Sequence, residues 1–357
     1  MLVIACCIAE VAAEWYVLLR LECIAVVGVA MSGTEGDQAE LARRAGFWMV
    51  VAVFALLAVP AALTLRTARV SAVVDRSAVD PSPYGYTWSL LLFLVPIVAI
   101  AFWFIPREGV EISKKSFVWT IGLLFPIGAV LDYFFGSLFL TFPNKLAVCG
   151  IPGPAFHGSV PIEEYVFYLT GFSCVLLMYI WFDKYWMLAY NIPGDATERV
   201  DFDRLLRFHP WSLGLALVLV GGGLLYRRVW HPELGGFPGY YLFLVLSVLL
   251  PSAVLLPSAR PVINWRAFSL TFFLILLTSL LWEATLAIPY GWWGYHPEQM
   301  LGLQITAWGG LPIEAVLVWI AVTFQTVMVY EVIKRWQASG RTLRQALLGW
   351  GVTSVAT

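Results

Sequence analysis

Long apolar runs are the feature that most limits how this chain can fold. A run of about 20 mostly apolar residues is long enough to cross roughly 30 Å of hydrocarbon as a helix. We therefore predict an all-α polytopic membrane protein with about eight transmembrane helices. The eight candidate spans lie near residues 47–65, 87–105, 116–140, 161–183, 210–226, 240–258, 267–288 and 311–333.

The composition predicts the same class. Of the 357 residues, 60% are hydrophobic and 13% are charged, and the mean hydropathy is +0.80. Ordinary soluble domains are about 45–50% apolar and about 25% charged. Little of the chain is left for a soluble domain, and we expect the lipid bilayer as a partner and no nucleic acid.

The basic residues predict the orientation in the membrane. Once the eight spans are drawn, Arg and Lys concentrate in alternate loops, with Lys114, Lys115, Arg204 and Arg207 on the richer side. Loops rich in Arg and Lys face the cytoplasm. We therefore expect a multi-pass protein of the cell membrane with both termini in the cytoplasm.

The sequence also repeats itself at a distance of 151 residues. Asp132 in LDYFFG corresponds to Glu283 in WEATLA, and Pro-Ile-Glu at 161–163 corresponds to Pro-Ile-Glu at 312–314. The offset covers an even number of spans, so the copies should run in the same direction and be related by an axis along the membrane normal. This predicts an N-terminal extension and linker at 1–46 and two parallel membrane repeats at 47–200 and 201–357.

Five acidic side chains within the spans are the main functional candidates: Asp132, Glu163, Glu164, Glu283 and Glu314. Burying an ionisable group in a span costs about 2.5–3.5 kcal/mol on insertion scales, so such groups are functional candidates by default. Antiparallel neighbouring helices would bring the acids of each half together. Acids clustered in a dry site cannot all ionise, which leaves a protonated acid beside a carboxylate. Such a cluster can donate one proton and accept another.

Aromatic side chains accompany the acids. Phe167 and Tyr168 lie one helical turn after Glu163 and Glu164, and more rings lie between the acids of the second half. Aromatic faces stabilise cations. Together these groups suit the protonation of an alkene, passage through a carbocation and loss of a proton on an isoprenoid hydrocarbon. The candidate cation-stabilising residues are Phe167, Tyr168, Trp292, Trp293, Tyr295 and Trp319.

Simpler interpretations exist for both features. Pro in the first turn and Glu near a helix N-terminus are ordinary signals of a helix start. Tryptophans commonly form belts at the membrane interface. The recurrence of Pro-Ile-Glu together with a matched acid on the preceding span nevertheless favours function.

At these motifs the chain resembles a known family, the small-domain lycopene cyclases. The resemblance is carried by LDYFFG at 131–136, VPIEEYVFYL at 160–169 and WEATLAIPYGWWGYHPEQMLGLQITAWGGLPIEAVL at 282–317. The members of that family are membrane-integral carotenoid β-cyclases that occur as heterodimers or as fused chains, and this chain would be the fused form.

The resemblance implies a redox-neutral, cofactor-independent cyclisation of the acyclic ends of lycopene, or of a related carotenoid, to β-ionone rings. It implies that Glu163, Glu164 and Glu314 are the acid and base, with Asp132 and Glu283 as their partners. One departure is Ala315, which stands where the family commonly has a second acid, so the second half could be impaired. Other enzymes of carotenoid biosynthesis are further expected partners.

Alternatives remain open at this point. Another terpene cyclase, a hydratase, a non-catalytic scaffold and a proton-coupled transporter with parallel repeats all fit buried acids in a duplicated membrane protein. The sequence has no GxGxxG motif after a strand and no Asp-rich DDxxD-like run, which disfavours a flavoprotein and a prenyl-diphosphate enzyme. Its cysteines and histidines show no metal-ligand spacing, so we predict no metal site.

Overall fold

A computed structural model describes residue 55 and residues 82–191, 205–206 and 210–348. Seven helices in these ranges are long and apolar enough to cross a membrane, which confirms the predicted all-α polytopic class. The extension at 1–46 and, apart from residue 55, the predicted span at 47–65 lie outside the described residues. The seven helices are α1 (Gly85–Glu108), α2 (Lys114–Phe139), α3 (Ile162–Trp186), α4 (Pro210–Trp230), α5 (Gly239–Ala259), α6 (Trp265–Ala287) and α7 (Ile313–Ala338).

Helices α3 and α7 occupy the centre of the bundle. In each of them 67% of the most apolar 18-residue window is buried, compared with 11% in α4. Helix α3 packs against α1, α2, α6 and α7, and helix α7 packs against α2, α3, α5 and α6. The two Pro-Ile-Glu motifs therefore open the two helices with the most protein neighbours.

Local structure recurs at the same distance as the sequence motifs. Helices α2 and α6 begin 151 residues apart, and the side chains of Ser113 and Asn264 cap them by accepting from backbone N–H groups. Each helix changes to a π-helical turn at its acid, over Asp132–Gly136 in α2 and Glu283–Ala287 in α6. Such turns are rare and are frequent at functional sites. The symmetry axis along the membrane normal stays a prediction.

Short strands order the loops at the ends of the helices that carry the acids. They are β1 (Leu140–Thr141), β2 (Pro152–Gly153), β3 (Val160–Pro161), β4 (Gly294–Tyr295), β5 (Gln304–Ile305) and β6 (Leu311–Pro312). Pairs β2–β3 and β5–β6 lie within one half each, and they lead into α3 and α7. The antiparallel pair β1–β4 instead joins the two halves, with Leu140 opposite Tyr295. A short helix, α8 (Leu343–Leu348), follows α7.

Candidate active site

Glu164 lies in the first turn of α3 with its side chain buried between the two halves of the protein. It is 5% exposed, and its Oε1 accepts a hydrogen bond of 2.6 Å from the hydroxyl of Tyr86 on α1. Because the donor is neutral, the hydrogen bond leaves the charge of the buried carboxyl uncompensated. Glu164 is thus a buried acid without a cationic partner among these contacts.

Glu283 has a different hydrogen-bonding environment at the start of the π-helical turn of α6. Its Oε2 accepts from the hydroxyl of Tyr295 at 2.7 Å, and its Oε1 accepts from the indole N–H of Trp319 at 2.7 Å. Burial and the nearby Glu283 raise the pKa of Tyr295, in the loop, well above its usual value, so this tyrosine stays a donor. Two donors on two oxygens stabilise the ionised form of a carboxyl group.

Glu164 and Glu283 both line one cavity between the halves. Most of its wall is aromatic, and the rings contact one another: Phe167 and Trp282 have centroids 5.6 Å apart, and Trp282 and Trp293 4.7 Å. The first half contributes Tyr86, Leu140, Glu164, Phe167, Tyr168, Gly171 and Phe172; the second contributes Tyr240, Trp282, Glu283, Trp293, Tyr295, Val318, Trp319 and Val322.

Asp132 lies behind this wall and does not line the cavity. It is 1% exposed, and its Oδ1 accepts from the hydroxyl of Tyr168 at 3.3 Å, while Oδ2 has no hydrogen-bond partner in the described part of the chain. Gly128, one turn before Asp132, allows this contact, because a Cβ there would lie 2.7 Å from the Tyr168 ring. Tyr168 therefore separates Asp132 from the cavity while contacting both.

The two Pro-Ile-Glu motifs contribute Glu163 and Glu314. These glutamates do not line the cavity and instead accept hydrogen bonds from loops. The Oε1 of Glu163 accepts from the hydroxyl of Thr87 at 2.5 Å and from the backbone N–H of Cys149 at 2.6 Å. The Oε1 of Glu314 accepts from the backbone N–H of Leu301 at 2.5 Å. Each glutamate thereby fixes the loop that precedes its own helix.

The predicted cation-stabilising residues also divide into those that line the cavity and one that does not. Phe167, Tyr168, Trp293, Tyr295 and Trp319 all line the cavity. Trp292 does not: its indole N–H donates to Ser82 Oγ at 2.8 Å, and its ring lies against Gly85 at the start of α1.

Sequence reasoning missed four large aromatic side chains of the wall: Tyr86, Phe172, Tyr240 and Trp282. Tyr86 is the hydrogen-bond donor to Glu164. Trp282 directly precedes Glu283, which is a signal that the sequence offered. Tyr86 and Tyr240 lie in helices without buried acids, so nothing in the sequence marks them.

Neither described histidine close to the acid motifs lines the cavity. The backbone carbonyl of His157 accepts from Ser137, and His296 Nδ1 lies 3.1 Å from Glu298. Within the described residues, no group of three or more His, Cys, Asp or Glu side chains is arranged to hold a metal ion.

Comparisons with known proteins give no relative for this chain. No family model, curated protein or solved structure matches it. The case for a function therefore depends on the residues and on their geometry.

Proposed function

We propose that this protein is a membrane-integral carotenoid cyclase that closes the acyclic ends of lycopene, or of a closely related carotenoid, into β-ionone rings. One observation carries the proposal: two glutamates from opposite halves line the same aromatic-walled cavity inside a membrane protein. The sequence resemblance to the small-domain lycopene cyclases supports the same reaction. An apolar cavity within the bilayer suits a substrate that dissolves in lipid.

The hydrogen bonds of the two glutamates support different roles. Glu283 accepts from Tyr295 and Trp319, which favours the carboxylate and makes it the base. Glu164 accepts from Tyr86 on Oε1, which leaves Oε2 to carry the proton that it donates. Pairs of acids in different environments commonly divide the acid and base roles in this way.

The reaction needs one proton in and one proton out for each ring. Glu164 gives its proton to the terminal double bond, and the resulting tertiary cation is attacked by the next double bond along the chain. A carbon–carbon bond forms and the positive charge moves to a ring carbon. Glu283 then takes a proton from the neighbouring carbon, which creates the ring double bond without any change in redox state. Proton exchange with solvent restores both glutamates.

The cavity wall serves the cation in two ways. The faces of Phe167, Trp282 and Trp319 offer negative electrostatic potential to a carbocation. The same rings exclude water, which would otherwise capture the cation and give an alcohol. Side chains of this protein can therefore both stabilise the cation and exclude water.

The distribution of basic residues supports a position in the cell membrane with both termini in the cytoplasm. In that orientation the ends of α2 and α6 and the starts of α3 and α7 lie at the non-cytoplasmic side. The cavity would then open among the loops and lipids of that side, where a carotenoid end can enter from the bilayer.

Expression in a bacterium that accumulates lycopene tests the proposal. We expect chromatography of the pigments to show cyclised carotenes with the wild-type chain and only lycopene with Glu164→Gln or Glu283→Gln. The exposed Glu111 on the loop between α1 and α2 gives a matched control, since Glu111→Gln should behave as wild type. Unchanged lycopene in the presence of the folded wild-type protein would overturn the proposal and favour transport or another isoprenoid.

A further inference from the structure

We propose that the part of the cavity beside Gly171 holds the conjugated chain of the carotenoid next to its reacting end, and that Gly171 determines which substrates fit by leaving this part of the cavity open. The inference rests on the proposed cyclase function. It assigns a specificity-determining residue that takes no part in proton transfer.

The cavity continues along α3 beyond the acids. The residues of α3 that line it follow one another at intervals of three or four: Glu164, Phe167, Tyr168, Gly171 and Phe172. Residues at these intervals share one face of a helix. At 1.5 Å per residue this face runs for roughly 12 Å from the first turn of α3 into the span. The cavity is therefore longer than the site of proton transfer at its one end.

The end of the cavity away from Glu164 is apolar. Its wall consists of Gly171 and Phe172 on α3 and of Val318 and Val322 on α7, and none of these side chains has a polar atom. An acyclic end that reacts at the glutamates leaves the rest of the polyene, which is also apolar, to be placed. The apolar end of the cavity suits the first part of that chain.

Gly171 is buried within α3, where helix packing does not account for it. A glycine inside a helix is less favourable than an alanine, and in membrane proteins the usual reason for one is the close approach of a neighbouring helix. Gly128 is such a case, since a Cβ there would lie 2.7 Å from the Tyr168 ring. A Cβ at Gly171 would lie 3.9 Å from the Phe167 ring, its nearest contact with a described residue. The space beside Gly171 therefore belongs to the cavity.

The internal repeat supplies a suitable substitution for this position. At the offset of 151 residues, Val318 corresponds to Phe167 and Val322 corresponds to Gly171, and all four line the cavity. Where the first half has a glycine, the second half has a valine at the same place in the equivalent helix. Gly171→Val thus narrows the apolar end of the cavity without a polar group and without displacing a packed neighbour.

Turnover of lycopene by Gly171→Val is the first test. A single methylene group in an apolar pocket changes kcat/KM by about 10-fold to 200-fold, and we expect a loss of at least this size. Thermal unfolding in detergent should match wild type, because the new side chain enters open space. Gly122→Val is the control: Gly122 is exposed on α2 and a Cβ there meets no described residue, so kcat/KM should stay as in wild type. A Gly171→Val protein that cyclises lycopene as fast as wild type would overturn the inference.

Binding of lycopene separates this inference from the cyclase function. The lycopene that remains on the purified protein is measured by its absorbance in the Glu164→Gln variant, with and without Gly171→Val. We expect the double variant to retain far less lycopene, and equal amounts in the two proteins would overturn the inference. A wild-type protein that binds lycopene without making a ring would overturn the cyclase function, while loss of binding in Gly171→Val would still support the position of the chain. A protein that neither binds nor cyclises lycopene would overturn both.

Discussion

Two groups of buried acids lie at opposite ends of α3 and of the helices that pack against it, and they differ in what surrounds them. At one end, Glu164 of α3 and Glu283 of α6 face the cavity and accept hydrogen bonds from neutral side chains. At the other end, Asp183 of α3 and Glu331 of α7 are also buried, and neither lines the cavity.

The far group is compensated by charge and by close amide contacts. Glu331 accepts from Lys334 at 2.9 Å and from the hydroxyl of Tyr179 at 3.0 Å. Asp183 Oδ1 accepts from the side-chain amide of Asn264 at 2.9 Å. Burial alone therefore does not mark an acid as a candidate for proton transfer. Open space beside the carboxyl group distinguishes Glu164 and Glu283 from the far group.

The largest expected effect is on turnover at the cavity. Glu283→Gln removes the proposed base while keeping the shape of the side chain, so turnover should fall by about 100-fold to 10,000-fold. The measurement is the initial rate of ring formation per amount of folded protein. Glu331→Gln is the matched control, because it removes an equally buried acid from the other group and should leave that rate within about twofold of wild type, well inside the scale of general acid–base effects. Equal losses in the two variants would contradict the comparison.

For stability we expect the opposite order, with a larger loss in Glu331→Gln than in Glu283→Gln. Glu331→Gln breaks a buried ion pair, for which the usual cost is about 3–5 kcal/mol. The side chain of Lys334 is 25% exposed and can reach solvent, so we expect the lower end of that range. Thermal unfolding in detergent measures the change. A larger loss of stability in Glu283→Gln than in Glu331→Gln would reverse the roles assigned to the two groups.

A smaller effect should follow from removing one donor to the base. Tyr295→Phe keeps the ring in the cavity wall but removes the hydrogen bond to Glu283 Oε2. Hydrogen bonds to charged groups contribute about 1.5–3 kcal/mol, so turnover should fall by about 10-fold to 160-fold. Tyr179→Phe removes the equivalent donor to Glu331 and should not change turnover. A Tyr295→Phe enzyme as fast as wild type would remove the support for Glu283 as a stabilised carboxylate.

The smallest expected effect is on stability, and it concerns the hydroxyl groups that lie between the two groups of buried acids. Thr271 and Thr326 donate to the carbonyl four residues earlier, whereas the buried hydroxyls of Ser279 and Thr323 have no hydrogen-bond partner among the residues that the structure describes. An unpaired buried polar group is unfavourable, so Thr323→Val should stabilise the protein by about 1 kcal/mol. Thr326→Val, the control, should destabilise it by a similar amount. Destabilisation by both variants would show that Thr323 has a partner in the membrane.

The helices were predictable from sequence because membrane spanning depends on length and hydropathy, which are properties of a single segment. Seven predicted spans correspond to described helices with ends a few residues apart, for example 267–288 and Trp265–Ala287. The strands that order the loops were not predicted, since each consists of two residues and depends on pairing with a distant segment.

The candidate site was only partly predictable. The sequence identified the five acids at the repeated motifs, all of which are buried, but not the buried Asp183 and Glu331. It paired Asp132 with Glu163 and Glu283 with Glu314, within each half. In the structure Glu163 and Glu314 face backbone N–H groups of loops, and the acids that share the cavity come from different halves. Adjacent glutamates on one helix point in directions about 100° apart, so packing against neighbours decides which of them meets the cavity.

Cyclisation in heavy water tests the central claim most directly. If Glu164 donates a proton exchangeable with solvent and Glu283 removes another from the substrate, each ring formed in D₂O should gain one deuterium in place of one hydrogen. Mass spectrometry of the carotene product should then show one added mass unit per ring, with no change in Glu331→Gln. Rings that form without deuterium would contradict acid–base catalysis by the two glutamates.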